Sequence, residues 1–295
     1  MRFGVVILPQ YPWPEARRRW RKAEALGFDH AWTYDHLSWR TLADQPWGAT
    51  VPLLTAAATA TERIRLGTFV TSPNFRHPVP FAKDLAGVDE IAGGRLLLGI
   101  GSGGTGFDAF VLGQPELTPR ERHERFVEFT RDLDVLLRFE QEGPISFDGP
   151  LYRAVGARMV GEPAQAPRMP FVLAANGPKG LRLVAEQGQG WVTTGPDGDG
   201  GDAWWSRVAR LSKRLDDALD AAGRDRGTVD RYLSIDSGGT YSLSSPGAAD
   251  DAVGRAAELG FTDVILHWPR DGEPYEGTEA ALDAFADRHL TAGGH

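Results

Sequence analysis

The chain has 295 residues, 41% hydrophobic and 24% charged, with a net charge of −8 and no cysteine. That length suits one barrel or two ordinary domains and is enough to bury a large core. The negative balance without a basic patch argues against nucleic acid as a partner, and the lack of cysteine excludes disulfides, thiolate metal sites and a cysteine nucleophile.

The first predicted strand covers 3–8 and is apolar on both faces, as parallel strands are. Its apolar run is short and meets Pro9, Pro12 and Pro14, which reads as neither a signal peptide nor a membrane span. The expectation is a cytoplasmic enzyme with no membrane partner. A helix follows over 14–26, with Ala16, Trp20, Ala23 and Leu26 on one stripe and Arg17, Arg18, Arg19 and Arg21 on a solvated face; Gly27 stops it.

Strand two covers 30–34 and runs into Asp35-His36. A helix spans 50–61 and strand three 64–70. Beyond it, Pro73 and Pro78 cannot continue a ladder, and Asn74, Arg76 and His77 place polar groups where the strand ends. This is either a strand that presents chemistry or a strand followed by a Pro-rich loop. A helix covers 80–92 and strand four 95–100. Thr118-Pro119-Arg120-Glu121 is a capping box that opens the next helix, with none expected before it. Residues 143–170 break the rhythm and read as a hairpin-like insertion over the barrel mouth.

The rhythm then resumes. Strands five to eight fall at 171–175, 191–194, 231–236 and 263–267. Helices fall at 179–187 and 202–222, from Ser245-Pro246 to Gly260, and at 278–290. Eight strands alternating with helices give a single α/β domain over 1–295, a (β/α)8 TIM barrel with the insertion between strands four and five. The joint Ala-Glu-Ala-Leu-Gly-Phe at 23–28 is echoed by Ala257-Glu258-Leu259-Gly260-Phe261, a repeat of half-units or a coincidence of good helix closure.

Gly99-Ile100-Gly101-Ser102-Gly103-Gly104 has the spacing of a dinucleotide fingerprint. It opens no helix directly and follows three strand–helix units, so the glycines are retained as an anion loop, or a flexible one, without a Rossmann reading. Ala175-Asn176-Gly177-Pro178-Lys179 does precede a helix, whose amino end suits a phosphate unless it is only a sharp turn. Thr193-Thr194-Gly195 adds hydroxyls beside it. His36, beside Asp35 at the end of strand two, is the candidate proton carrier, or else a half-buried cap residue. His77, His267, Trp13, Trp39, Trp47 and Trp268 fall in loops after strands and read as walls of an apolar pocket or as ordinary packing. Metal hydrolysis and serine hydrolysis find no motif, and no metal is expected.

Taken together, four stretches resemble the luciferase-like monooxygenase family of flavin- and deazaflavin-dependent barrels. They are Ala23 to Asp29 with Trp32 and Asp35-His36; Arg65-Leu66-Gly67-Thr68 with Arg76-His77-Pro78; Gly93 to Gly101; and Ala174-Ala175-Asn176-Gly177. The resemblance implies a cofactor ring in the barrel mouth, contacted by Asp35, Phe69, Val70 and Thr71, with a non-proline cis peptide at Phe69-Val70. The phosphate would lie near Gly101, Ser102 and Gly103, near Ala175, Asn176 and Gly177, and near Thr194 and Gly195. His36 corresponds to the histidine beside the reacting carbon in the sugar-phosphate dehydrogenases. Those carry a Glu where this chain has Gly103-Gly104-Thr105, which argues against a sugar phosphate as the substrate.

The resemblance thus implies an oxidoreductase that transfers hydride between a small organic molecule and coenzyme F420, with a homodimer as its assembly. FMN with monooxygenase chemistry is the near alternative. A non-catalytic flavin-binding barrel and a cofactor-free barrel are the remaining ones.

Overall fold

The computed structural model describes residues 1–290 apart from 105, 141, 142 and 199. Parallel strands β1 (Arg2–Val6), β2 (His30–Thr33), β3 (Arg65–Thr68) and β4 (Leu96–Ile100) form the first half of the sheet, and β7 (Phe171–Ala174), β8 (Gly190–Thr193), β9 (Asp230–Ser234) and β10 (Asp263–His267) the second. The order β1-β10-β9-β8-β7-β4-β3-β2 closes a barrel. The short antiparallel pair β5 (Ile145–Asp148) and β6 (Arg153–Ala157) is the expected hairpin insertion.

The chain divides into two compact units. One comprises Met1–Leu8, Arg18–Trp32 and Val172–His295. In it β1 pairs in parallel with both β2 and β10, in the register Gly4 to His30 and Gly4 to Ile265. The helix α1 (Trp13–Leu26) buries Trp20 and Ala23. Arg18 and Lys22, on its polar face, pair with Glu279 of the last helix, α9 (Glu279–His289). Those cations, Arg18 first, hold the Glu279 carboxyl down at about 2 despite partial burial.

The repeated joint has one geometry at both places. Gly27 (φ 93°) follows α1, and Gly260 (φ 77°) follows α8 (Pro246–Glu258). The Phe28 N–H donates back to Ala23 O at 3.2 Å, and that of Phe261 to Ala256 O at 3.1 Å. Each is a left-handed glycine stop with the next residue turned back over the last helical turn, and both phenylalanines are buried.

The other unit comprises Pro9–Arg17 and Thr33–Phe171. Here α3 (Pro78–Ile91) is capped by His77, whose Nδ1 accepts from Val79 N–H at 3.2 Å. The helix α5 (Pro119–Leu137) opens with the Thr118–Glu121 capping box and buries Phe126, Phe129 and Leu133. The hairpin hangs on α5: Glu128 accepts the N–H groups of Leu151 (3.0 Å) and Tyr152 (2.7 Å). The Tyr152 ring lies 5.5 Å from that of His77, at the head of α3.

One expectation is corrected. A short helix, α4 (Phe107–Val111), precedes Thr118. At one turn and a half it is too brief to show the apolar periodicity by which helices are read. Six of the eight barrel strands also stop a residue or two before their expected ends, β4 and β10 excepted; at β2 and β3, Tyr34 and the stretch after Thr68 leave the ladder to shape loops. No helix among the described residues is long and apolar enough to cross a membrane.

Candidate functional site

The loop after β3 is built on a buried ion pair. Arg76 forks onto Asp35, with Nε to Oδ2 at 2.9 Å and Nη2 to Oδ1 at 2.6 Å, and the Thr71 hydroxyl donates to the same Oδ2. The Asp35 carboxylate, 2% exposed, is therefore occupied by protein donors. The Arg76 guanidinium packs on the rings of Phe75 and Phe81, 4.9 and 4.3 Å from their centroids. Behind this clamp the Phe69-Val70 peptide is cis. Phe69 N–H donates to Thr33 O, Thr71 N–H to Gly99 O, and Gly101 N–H to Thr71 O, each at 2.8 Å. Gly99 permits the approach, since a Cβ there would stand 2.0 Å from Thr68 O.

The glycine loop after β4 rests on Asn74. A Cβ on Gly103 (φ 77°) would lie 2.3 Å from Asn74 Oδ1. That oxygen accepts from Arg125 Nη2. Burial, with Arg122 nearby, pulls the Arg125 guanidinium below its ordinary value. Ser102 is half-buried, with its hydroxyl 3.5 Å from Gly103 O. Thr105, part of the stretch that lacks the family's Glu, lies outside the described residues.

His36 belongs to a constellation that sequence reasoning did not assemble. Its Nδ1 is in hydrogen-bond contact with Asp108 Oδ2, while Asp108 Oδ1 accepts Leu37 N–H at 2.7 Å. Trp47 Nε1–H donates to His36 O at 2.8 Å. Tyr34 stands edge-on to His36, and Tyr34, Trp39 and Trp47 pack together, with Trp39 and Trp47 stacked at 6.4 Å. His36 keeps 24% of its side chain exposed and Asp108 only 4%. A partly exposed imidazole held by a buried carboxylate has the chemistry to carry a proton in a fixed orientation. Asp108 sits in the first turn of α4, so the missed helix hid it.

In the other unit the loops after β7 and β8 are tied together. Thr193 Oγ1 donates to Asn176 Oδ1 (2.7 Å) and accepts Gly195 N–H (2.9 Å), and Asn176 Nδ2 donates to Gly195 O (3.1 Å). Ala175 O accepts Trp191 Nε1–H at 2.7 Å. The hydroxyl bonded in these loops is that of buried Thr193, whereas Thr194 is exposed. Gly177 caps α6 (Pro178–Gln187) without a side-chain acceptor, and space is open where its Cβ would stand. First-turn N–H groups left in this way suit an anion, which fits a cofactor with a phosphate.

His267 is fully buried. Its Nδ1 contacts Asp236 Oδ2 at 2.9 Å, and the Tyr275 ring stacks on it at 3.7 Å. Asp236 and Tyr275 were not singled out from the sequence, although a carboxylate at a strand end was the available signal. Trp268 is 2% exposed, beneath the Arg19 guanidinium at 5.6 Å. Trp13, at the start of α1, is 38% exposed. His77 is engaged as the α3 cap.

Residues 1–290 match the profile of the family described as luciferase-like monooxygenase. An F420-dependent glucose-6-phosphate dehydrogenase of Intrasporangium calvum is 31% identical over 271 residues, 91% of this chain and 77% of that enzyme. A 5,10-methylenetetrahydromethanopterin reductase of Archaeoglobus fulgidus is 32% identical over 194 residues, 64% of this chain and about half (52%) of that enzyme. The coenzyme F420-dependent tetrahydromethanopterin reductase of Methanopyrus kandleri has the same fold, with a TM-score of 0.75 at 19% identity over 98% of this chain and 99% of that one.

Proposed function

Because the chain belongs to the luciferase-like monooxygenase family, we propose that it is an oxidoreductase that uses coenzyme F420 and acts on a small organic substrate. The observation that carries the reading is His36, oriented by Asp108 just beyond the carboxyl end of β2 with 24% of its side chain exposed. The two F420-dependent relatives support the choice of cofactor. Bound F420 supplies a carbon that accepts or returns a hydride.

The protein's own part divides by residue. Asp35, Arg76 and Thr71 fix the loop that carries Phe69 and Val70. Asn176, Thr193 and Gly195 hold each other in place beside the amino end of α6, whose first-turn N–H groups offer an anion its donors. Tyr34, Trp39 and Trp47 exclude water beside His36. His36 takes up or gives back the proton that accompanies the hydride. The proposal extends to a cytoplasmic homodimer, which sedimentation of the purified protein checks.

The test is titration of cofactor-free protein with F420 and with FMN, followed by quenching of tryptophan fluorescence. F420 is expected to bind and FMN to bind weakly. Preference for FMN would move the reading to monooxygenase chemistry, the alternative that the family description favours. Binding of neither would overturn both.

A further inference from the structure

We propose that Asp108 is the positioning residue of the proton transfer: it holds His36 as the tautomer with its proton on Nδ1 and so keeps Nε2 bare toward the substrate. The inference rests on the reading of His36 as the proton carrier. An ionised carboxylate accepts hydrogen bonds and donates none, and a neutral imidazole has one donor and one acceptor nitrogen. A ring whose Nδ1 faces a carboxylate must therefore donate there and accept at Nε2.

The geometry allows little else. Asp108 is buried, and its two oxygens hold neighbouring points of the chain, the His36 ring and the Leu37 N–H. Trp47 holds the His36 carbonyl. Side chain, carbonyl and following amide are thus each tied, and the Nε2 edge is what remains for a ligand. Gly103 and Gly104 bring no carboxylate to this region, and Asp108 is the first acidic residue after β4.

With a secondary or hemiacetal alcohol as substrate, the O–H bond breaks and its proton passes to Nε2. The C–H electron pair leaves with its hydrogen as hydride to the deazaflavin, and the carbon–oxygen bond becomes a carbonyl. In the reverse direction Nε2 returns the proton to the oxygen. Asp108 stays ionised throughout and stabilises the imidazolium, as the aspartate of a Ser-His-Asp triad does. An asparagine at 108 keeps the size but can turn an N–H toward Nδ1, which favours the opposite tautomer.

The test has two arms on the full chain. In the first, nitrogen-15 histidine NMR at pH 8, without cofactor, reads the tautomer of His36, assigned with His36→Gln. Wild type is expected to carry the proton on Nδ1, Asp108→Asn to lose that preference and Asp108→Glu to restore part of it. In the second, F420 reduction is followed with 2-propanol and with glucose 6-phosphate as probes. Asp108→Asn should lower kcat about 10²-fold or more, with KM and the F420 dissociation constant within a few-fold of wild type. A proton on Nε2 in wild type, or an Asp108→Asn enzyme with altered tautomer and unchanged kcat, would overturn the proposal. Because the first arm needs no cofactor, failure of F420 to bind sinks the functional reading without touching the tautomer result.

Discussion

Asp35 and Arg76 meet through two hydrogen bonds, at 2.9 and 2.6 Å, across 41 residues of sequence, with the Asp35 carboxylate buried. The Thr71 hydroxyl is a third donor to that carboxylate. This pair holds the polar end of β3. Removing one partner leaves the other charge buried and uncompensated, which is the expensive way to lose an ion pair. Asp35→Ala is expected to cost about 3–5 kcal/mol of stability, measured by urea unfolding. Arg76→Lys should cost nearly as much, because an ammonium cannot make the fork. A loss near zero, together with weaker F420 binding, would instead make Asp35 a ligand contact.

His36→Ala removes the proton carrier and leaves the Asp35 clamp and the glycine loops in place. Turnover should fall by roughly 10²–10⁴, with F420 affinity nearly unchanged. The check is steady-state kinetics beside fluorescence titration of the same preparation. Undiminished turnover would remove His36 from the chemistry.

The barrel was legible because its parallel strands are short apolar runs closed by glycine and proline, and because Gly27 and Gly260 mark helix ends by chemistry that reads locally. The hairpin was legible from the break in rhythm at 143–170, within which Asp148-Gly149 has the chemistry of a tight turn. Contacts made at a distance were not. Asp108 reaches His36 across 72 residues, and its helix is too brief for periodicity to show. Asp35 stood beside His36 in the sequence and could be taken for its tuner, yet the fold turns it to Arg76. Likewise Thr193 and Thr194 are equivalent as residue types, and only the fold, which ends β8 at buried Thr193 and leaves Thr194 exposed in the loop, decides which hydroxyl faces Asn176.

Asp132 on α5 gives a pH dependence unrelated to the site. Burial, with Glu128 beside it, pushes its carboxyl up to about 7, and its Oδ2 finds no partner among the described residues. An aspartate in the unfolded chain titrates near 3.9. Between about pH 4 and 7 the folded state thus binds more protons than the unfolded one, and stability falls as pH rises. Asp132 is only half-buried, so solvent screening limits the effect to about 1 kcal/mol. Asp132→Asn should flatten the fall, gaining on wild type at pH 8 and not at pH 4.5. Urea midpoints at the two values test this, and equal differences at both would sink it.

Thr193→Val isolates the anion-binding loops. The substitution keeps shape and β-propensity but deletes the donor to Asn176 Oδ1 and the acceptor of Gly195 N–H. Asn176 keeps its bond to Gly195 O, so the loop loses its fixed geometry without losing its course. If these loops hold the cofactor phosphate, the two lost hydrogen bonds, which set the loop rather than touch the phosphate, together weaken its binding by about 1.4 kcal/mol, or about tenfold in affinity. F420 should therefore bind about tenfold more weakly to Thr193→Val, while the deazaflavin riboside without phosphate should bind both proteins alike. Equal weakening of the two ligands would show that the loop acts on the ring, and no weakening of either would place the phosphate elsewhere.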